Sequence, residues 1–139
     1  MNDSMLIVIK EIIATCYEYV DGSDCDVYFY CFLSDNVAYG NYFFDIGGQV
    51  LKKESIKVEV GVDTSVKRRV RFAKALSENI NFLKGLKIFY DCRNPLEIKV
   101  HASDKKVVSV DFSESGFYEG SVSDRFENWF GEVRKGIVQ

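Results

Sequence analysis

The chain predicts an α+β fold in a single domain: an antiparallel sheet with helices packed on it, in the order helix, β-meander, long helix, β-hairpin, helix. Three observations carry this prediction. Apolar residues recur every three or four positions near the start and again in the middle of the chain. Between and after these stretches lie short segments dense in Val, Tyr and Phe, bounded by turn residues. No internal repeat, low-complexity linker or abrupt composition shift divides the 139 residues, a length usual for one domain.

The first helix is expected over Ser4 to Tyr19. Leu6, Ile9, Ile13 and Cys16, with Ile12 and Val20, share a face, and Lys10, Glu11 and Glu18 look outward. Asp21-Gly22-Ser23-Asp24 stops it. Strands follow at Cys25 to Leu33 and Val37 to Ile46, separated by Ser34-Asp35-Asn36. The first is apolar on both faces, as in a central strand covered on both sides or one exposing tyrosines. Gly47-Gly48 supplies a two-residue turn into a third strand at Gln49 to Lys53, and the alternation Ile56, Val58, Val60, Val62 predicts an edge strand.

Asp63, Thr64 or Ser65 caps the long helix. Val66, Val70, Ala73, Leu76, Ile80 and Leu83 are its expected buried stripe, and Asn94-Pro95 lies beyond its end. Leu96, Ile98 and Val100 alternate into the turn Ser103-Asp104-Lys105, and Val108, Val110 and Phe112 resume the alternation on the way back. A connector, Asp111 to Gly120, leads to a helix opened by Ser121 and Asp124 in capping-box spacing, with Val122, Phe126, Trp129, Phe130 and Val133 on its apolar face.

Eighteen basic against twenty-one acidic side chains give a formal charge of -3, which disfavours general affinity for phosphate backbones and favours a basic partner. Eleven Phe and eight Tyr exceed the usual aromatic share, so some tyrosines are expected at the surface, in recognition patches. The start of the chain lacks the pattern of a secretory signal, and no apolar run approaches about 18 residues. The expected setting is the cytoplasm, with no membrane partner.

Little in the chain points to catalysis. Cys16, Cys25, Cys31 and Cys92 form no C-x-x-C pair and stand with a single histidine, His101, so neither a metal site nor a cofactor is expected. Cys16 and Cys31 fit the role of small buried hydrophobes. No glycine pattern matches a phosphate loop, and Asp21, Asp24 and Asp26 lack the order of a calcium loop. Two features point to binding. Lys67, Arg68, Arg69, Arg71 and Lys74 could track a nucleic acid, although the interleaved apolar residues make them the solvated face of a packed helix. The acidic and aromatic connector offers Asp111, Glu114, Phe117, Tyr118 and Glu119 for a basic partner, with Asp24, Asp26 and Asp35 at strand ends as a second acidic group.

The hairpin Leu96 to Val100 with Lys105 to Phe112, the segment Asp124-Arg125-Phe126 with Trp129, and the aromatic strand Val27-Tyr28-Phe29-Tyr30 resemble the YezG-type antitoxin and immunity family. The layout is similar over most of the chain, and the motifs are specific in about a third of it. Cys92-Arg93-Asn94-Pro95, where a Trp would fit that family, and the added strand at Ile56 to Val62 depart from its pattern. The resemblance implies a non-enzymatic inhibitor that binds a cognate bacterial toxin, such as a basic nuclease in contact-dependent growth inhibition, and blocks its active site or substrate path. It supplies no catalytic residues. The alternative is a small nucleic-acid-binding module using the basic face 67–74.

Overall fold

In the computed structural model five strands form one antiparallel sheet in the order β3-β2-β1-β4-β5. The structure describes residues 3–20, 24–34, 37–56, 65–86, 95–114 and 121–136. The strands are β1 (Asp26–Leu33), β2 (Ala38–Ile46), β3 (Gln49–Lys52), β4 (Leu96–Ser103) and β5 (Lys106–Glu114), and the helices are α1 (Asp3–Tyr19), α2 (Val66–Lys84) and α3 (Val122–Arg134). It is an α+β single domain, with α1 and α2 on one face of the sheet and α3 on the other.

Side-chain alternation on the central strand explains the layering. Val27, Phe29, Cys31 and Leu33 of β1 pack with α1 and α2, while Tyr28, Tyr30 and Phe32 pack with Phe126, Trp129 and Val133 of α3. Both faces of β1 are covered, so its tyrosines are interior. Of the six described tyrosines five are buried and Tyr39 is half-buried, against the expectation of a tyrosine-bearing surface. Three of the five meet acceptors: Tyr17 donates to the Cys25 carbonyl at 2.9 Å, Tyr19 to the Lys53 carbonyl at 3.0 Å and Tyr30 to Glu97 Oε2 at 2.5 Å.

The turns follow from local chemistry. Gly47 and Gly48 take positive φ of 62° and 88° between β2 and β3, a conformation that costs glycine little. Asp104 and Lys105 do the same between β4 and β5, at 52° and 63°, without the help of glycine. Ser65 caps α2 by accepting the Arg68 amide at 3.3 Å. At α3, Ser121 Oγ accepts the Asp124 amide and the Asp124 carboxylate accepts the Ser121 amide, the reciprocal pair that the spacing predicted.

Four expectations need correction. On α2 the buried side chains are Phe72, Leu76, Ile80 and Leu83, whereas Val66 and Val70 are 66% and 61% exposed and Ala73 is exposed. The larger apolar area of Phe72, edge-on to Tyr19 at 5.3 Å, decides the rotation. On β5 a bulge opposite His101 and Ala102 of β4 leaves Val108 unpaired and 60% exposed, so Val107 takes its place against the core beside Val110 and Phe112, which face it as expected. Asp111 to Glu114 extend β5 and are not loop, because they pair with Lys99, Ile98, Glu97 and Leu96. Ile56 is fully buried in helical geometry after a 3-10 turn, Lys53–Ser55, so it does not begin a strand. The rest of the proposed strand, 57–62, lies outside the described residues.

One buried charge joins the apolar packing in holding α3 to the sheet. Glu97 is 6% exposed, and its carboxylate takes the Tyr30 hydroxyl, Arg125 Nε at 3.0 Å and Lys99 Nζ at 3.8 Å. A buried charge is tolerated when it is paired and hydrogen-bonded, and Arg125 belongs to α3 itself. Around this pairing Trp129 lies 5.2 Å from Phe43 and 6.2 Å from Tyr30, and Lys52 clamps the far side through Glu127 at 2.6 Å.

Candidate functional site

The β-register assembles an acidic row at one end of the sheet. Asp26 begins β1 and stands directly opposite Asp45 of β2 and Ser103 of β4. Directly opposed residues share a face with Cβ atoms about 4.5–5.5 Å apart, so two acidic side chains leave the sheet side by side there. Asp104 follows Ser103 in the next turn, and exposed Asp24 precedes the strand. The fields of these groups converge on their neighbours. Burial, followed by Asp26, Asp24 and Asp45, pushes the Cys25 thiol up to about 11. Burial, then Asp26 and Asp45, raises Tyr28.

Neighbouring donors fix two of the carboxylates. Asp45 Oδ1 accepts the Gly48 amide at 3.0 Å, which ties it to the β2–β3 turn. Asp26 faces His101 Nε2 at 2.8 Å through Oδ2 and accepts the Ser103 hydroxyl at 2.8 Å through Oδ1. His101 stacks on Tyr28 with ring centroids 4.5 Å apart and an interplanar angle of 5°. Ser103 therefore points its hydroxyl at a carboxylate rather than at the imidazole, unlike a nucleophile aligned with its base. This arrangement can hold charge in a fixed place and present it. Lys105 and Lys106 border the row on the β5 side.

The residues proposed from sequence separate into distinct places. Asp24 and Asp26 belong to this end. Glu114 stands opposite Leu96, which pairs with Leu33 at the far end of β1, about 23 Å along the strand at 3.3 Å per residue. Asp111 stands opposite Lys99 on the α3 face, whereas Glu114, three positions on, points to the other face. Both are exposed, but they do not form one patch with each other or with Asp26. Asp35, Phe117, Tyr118 and Glu119 lie outside the described residues. Asp45 and Asp104 were missed, since their proximity to Asp26 is created by pairing between strands. Two signals were available: the glycine turn fixes the β2–β3 hairpin after Asp45, and Asp104 occupies a turn already identified.

The basic segment of α2 is also divided. Lys67, Arg71 and Lys74 are exposed, but Arg68 and Arg69 are half-buried. Arg68 donates through Nη2 to the carbonyls of Glu18 and Tyr19 at 3.0 and 2.9 Å, closing the C-terminal end of α1. Its role there is structural, and the five cations do not line one solvated face.

Cys16, Cys25 and Cys31 are buried free thiols. Among the described residues no group of three or more His, Cys, Asp or Glu side chains is arranged to hold a metal ion, and no helix is long and apolar enough to cross a membrane. No protein-family model matches the chain, and no curated protein matches it.

Proposed function

We propose that this protein is an immunity-type inhibitor that binds a basic bacterial toxin domain, such as a nuclease, and blocks its active site or substrate path. The observation that carries the reading is the opposed pair Asp26 and Asp45, extended by Asp24 and Asp104. Like charges directly across a ladder are destabilising, and hydrogen bonds from His101, Ser103 and Gly48 hold this pair in place instead of dispersing it. A surface that maintains such a concentration of charge favours a cationic partner, whose approach relieves the repulsion and is accelerated by it. The net charge of -3 acts in the same direction. The resemblance of the hairpin and closing helix to YezG-type proteins supplies the kind of partner. In this reading the protein carries out no bond chemistry of its own.

The test is protection. Co-expression with a basic toxin domain found encoded next to it should restore growth and yield a stable one-to-one complex. A toxin that still kills, with no complex recovered, refutes the reading.

A further inference from the structure

We infer that the cleft between α1, the start of α2 and the β4–β5 turn is a binding site for a small multiply charged anion of the phosphate or polyphosphate class. The cleft has a volume of about 570 Å³, within the range of small-molecule sites, and Lys10, Arg68, Arg71 and Lys105 line it. These four cations come from three separate elements, and among the described residues Glu18 is the one carboxylate lining the cleft. Among the described residues none of the four has a carboxylate within 4.0 Å, whereas Lys52, Lys53, Lys99 and Arg125 each have one.

Three further features make this arrangement costly without a ligand. Arg68 and Arg71 lie in the first two turns of α2, at the positive end of its dipole, where cations are disfavoured and anions stabilised. Arg68 is anchored by two bonds to α1, yet its Nε is buried without a hydrogen-bond acceptor. Lys105 holds a left-handed backbone, φ 63°, on the lip of the cleft, where glycine would be the unstrained choice. The floor is set by Phe72, with the guanidiniums of Arg68 and Arg71 at 4.8 and 5.5 Å from its ring, so they are held above an apolar base instead of extending into solvent. A bound phosphate group offsets the mutual repulsion of the cations and gives the Arg71 guanidinium an acceptor, while Arg68, held by its bonds to α1, contributes its charge from a fixed place.

The geometry favours a compact anion over a nucleic-acid strand. The cations converge across a cleft, and Arg68 is committed to α1, so no continuous basic track runs along α2. This site and the acidic row are different surfaces, and the inference does not depend on the proposed partner.

The test is calorimetric titration of the whole protein with inorganic triphosphate at low ionic strength. Saturable one-to-one binding is expected, with Arg71→Gln and Lys105→Gln each weakening it about tenfold, the effect of losing one charge-assisted contact. Both side chains are exposed, so both variants should fold, and circular dichroism checks that they do. Lys67→Gln, off the cleft, should leave the affinity unchanged. The inference is overturned by no saturable binding, by binding that Arg71→Gln and Lys105→Gln leave intact, or by single-stranded nucleic acid binding more tightly than triphosphate and losing affinity with Lys67→Gln and Lys74→Gln.

Discussion

Replacing Arg125 with methionine tests how α3 is held to the sheet. The Glu97 side chain is only 8% exposed and Arg125 Nε sits 3.0 Å from its carboxylate, so the substitution leaves a buried anion with the Tyr30 hydroxyl and Lys99 at 3.8 Å. Removing one partner of a fully buried pair costs about 3–5 kcal/mol. Arg125 is itself 27% exposed and Lys99 can move closer, so the expected loss is lower, about 2–3 kcal/mol. Urea unfolding followed by the fluorescence of Trp129, the sole tryptophan and a neighbour of this pairing, should show the midpoint falling by about 1–1.5 M for a slope near 2 kcal/mol/M. The double variant Glu97→Met, Arg125→Met removes both charges and should be more stable than Arg125→Met alone. The reasoning fails if Arg125→Met lies within about 0.5 kcal/mol of the parent, or if the two substitutions simply add.

Three further outcomes are expected. A Cβ at Gly40 would stand 2.1 Å from Ile80 Cδ1 and 3.4 Å from Phe29 Cε1; Gly40→Ala should therefore cost about 1–3 kcal/mol, and adding Ile80→Val, which deletes that methyl, should recover part of it in a double-mutant cycle. The Cys25 thiol, pushed from 9.0 to about 11 on folding, keeps its proton in the native state where the unfolded chain loses it; stability should fall between about pH 9 and 11, and Cys25→Ala should flatten that fall by up to about 1.4 kcal/mol per pH unit in urea titrations. Lys105→Gly relieves a left-handed backbone and should raise stability by about 1 kcal/mol, near 4 °C in melting temperature, while weakening triphosphate binding; a drop in melting temperature would contradict the strain argument.

Local chemistry was the most legible part of the fold. The spacing of α1, the Gly47-Gly48 turn, the Ser121 capping box and the apolar face of α3 all depend on residues within a few positions of one another. Errors arose where two local patterns competed. On α2, Val66, Val70 and Ala73 fit the apolar period as well as Phe72 does, and only contact with Tyr19 selects between them. On β5, two adjacent valines conceal the bulge, since either continues an alternation. The site was less legible because strand pairing creates it. Asp26 and Asp45 are nineteen positions apart, His101 lies 75 from Asp26, and register alone brings them together. Glu97 falls between Leu96 and Ile98 in the alternation of β4, and a helix almost thirty positions later supplies the partner that lets it be buried. Arg68 repeats the lesson, since a residue in a basic run closes the end of a helix 50 positions earlier.

The most direct test of the central claim is the association rate of the purified protein with its cognate toxin domain, measured at about 10 mM and 1 M salt, where the screening length falls from about 30 to 3 Å. Asp24→Asn with Asp104→Asn removes two exposed charges from the acidic end, and asparagine tolerates the positive φ of Asp104. The account predicts association slowed about fivefold at low salt and nearly unchanged at high salt. Equal rates for the parent and the double variant at low salt would contradict it.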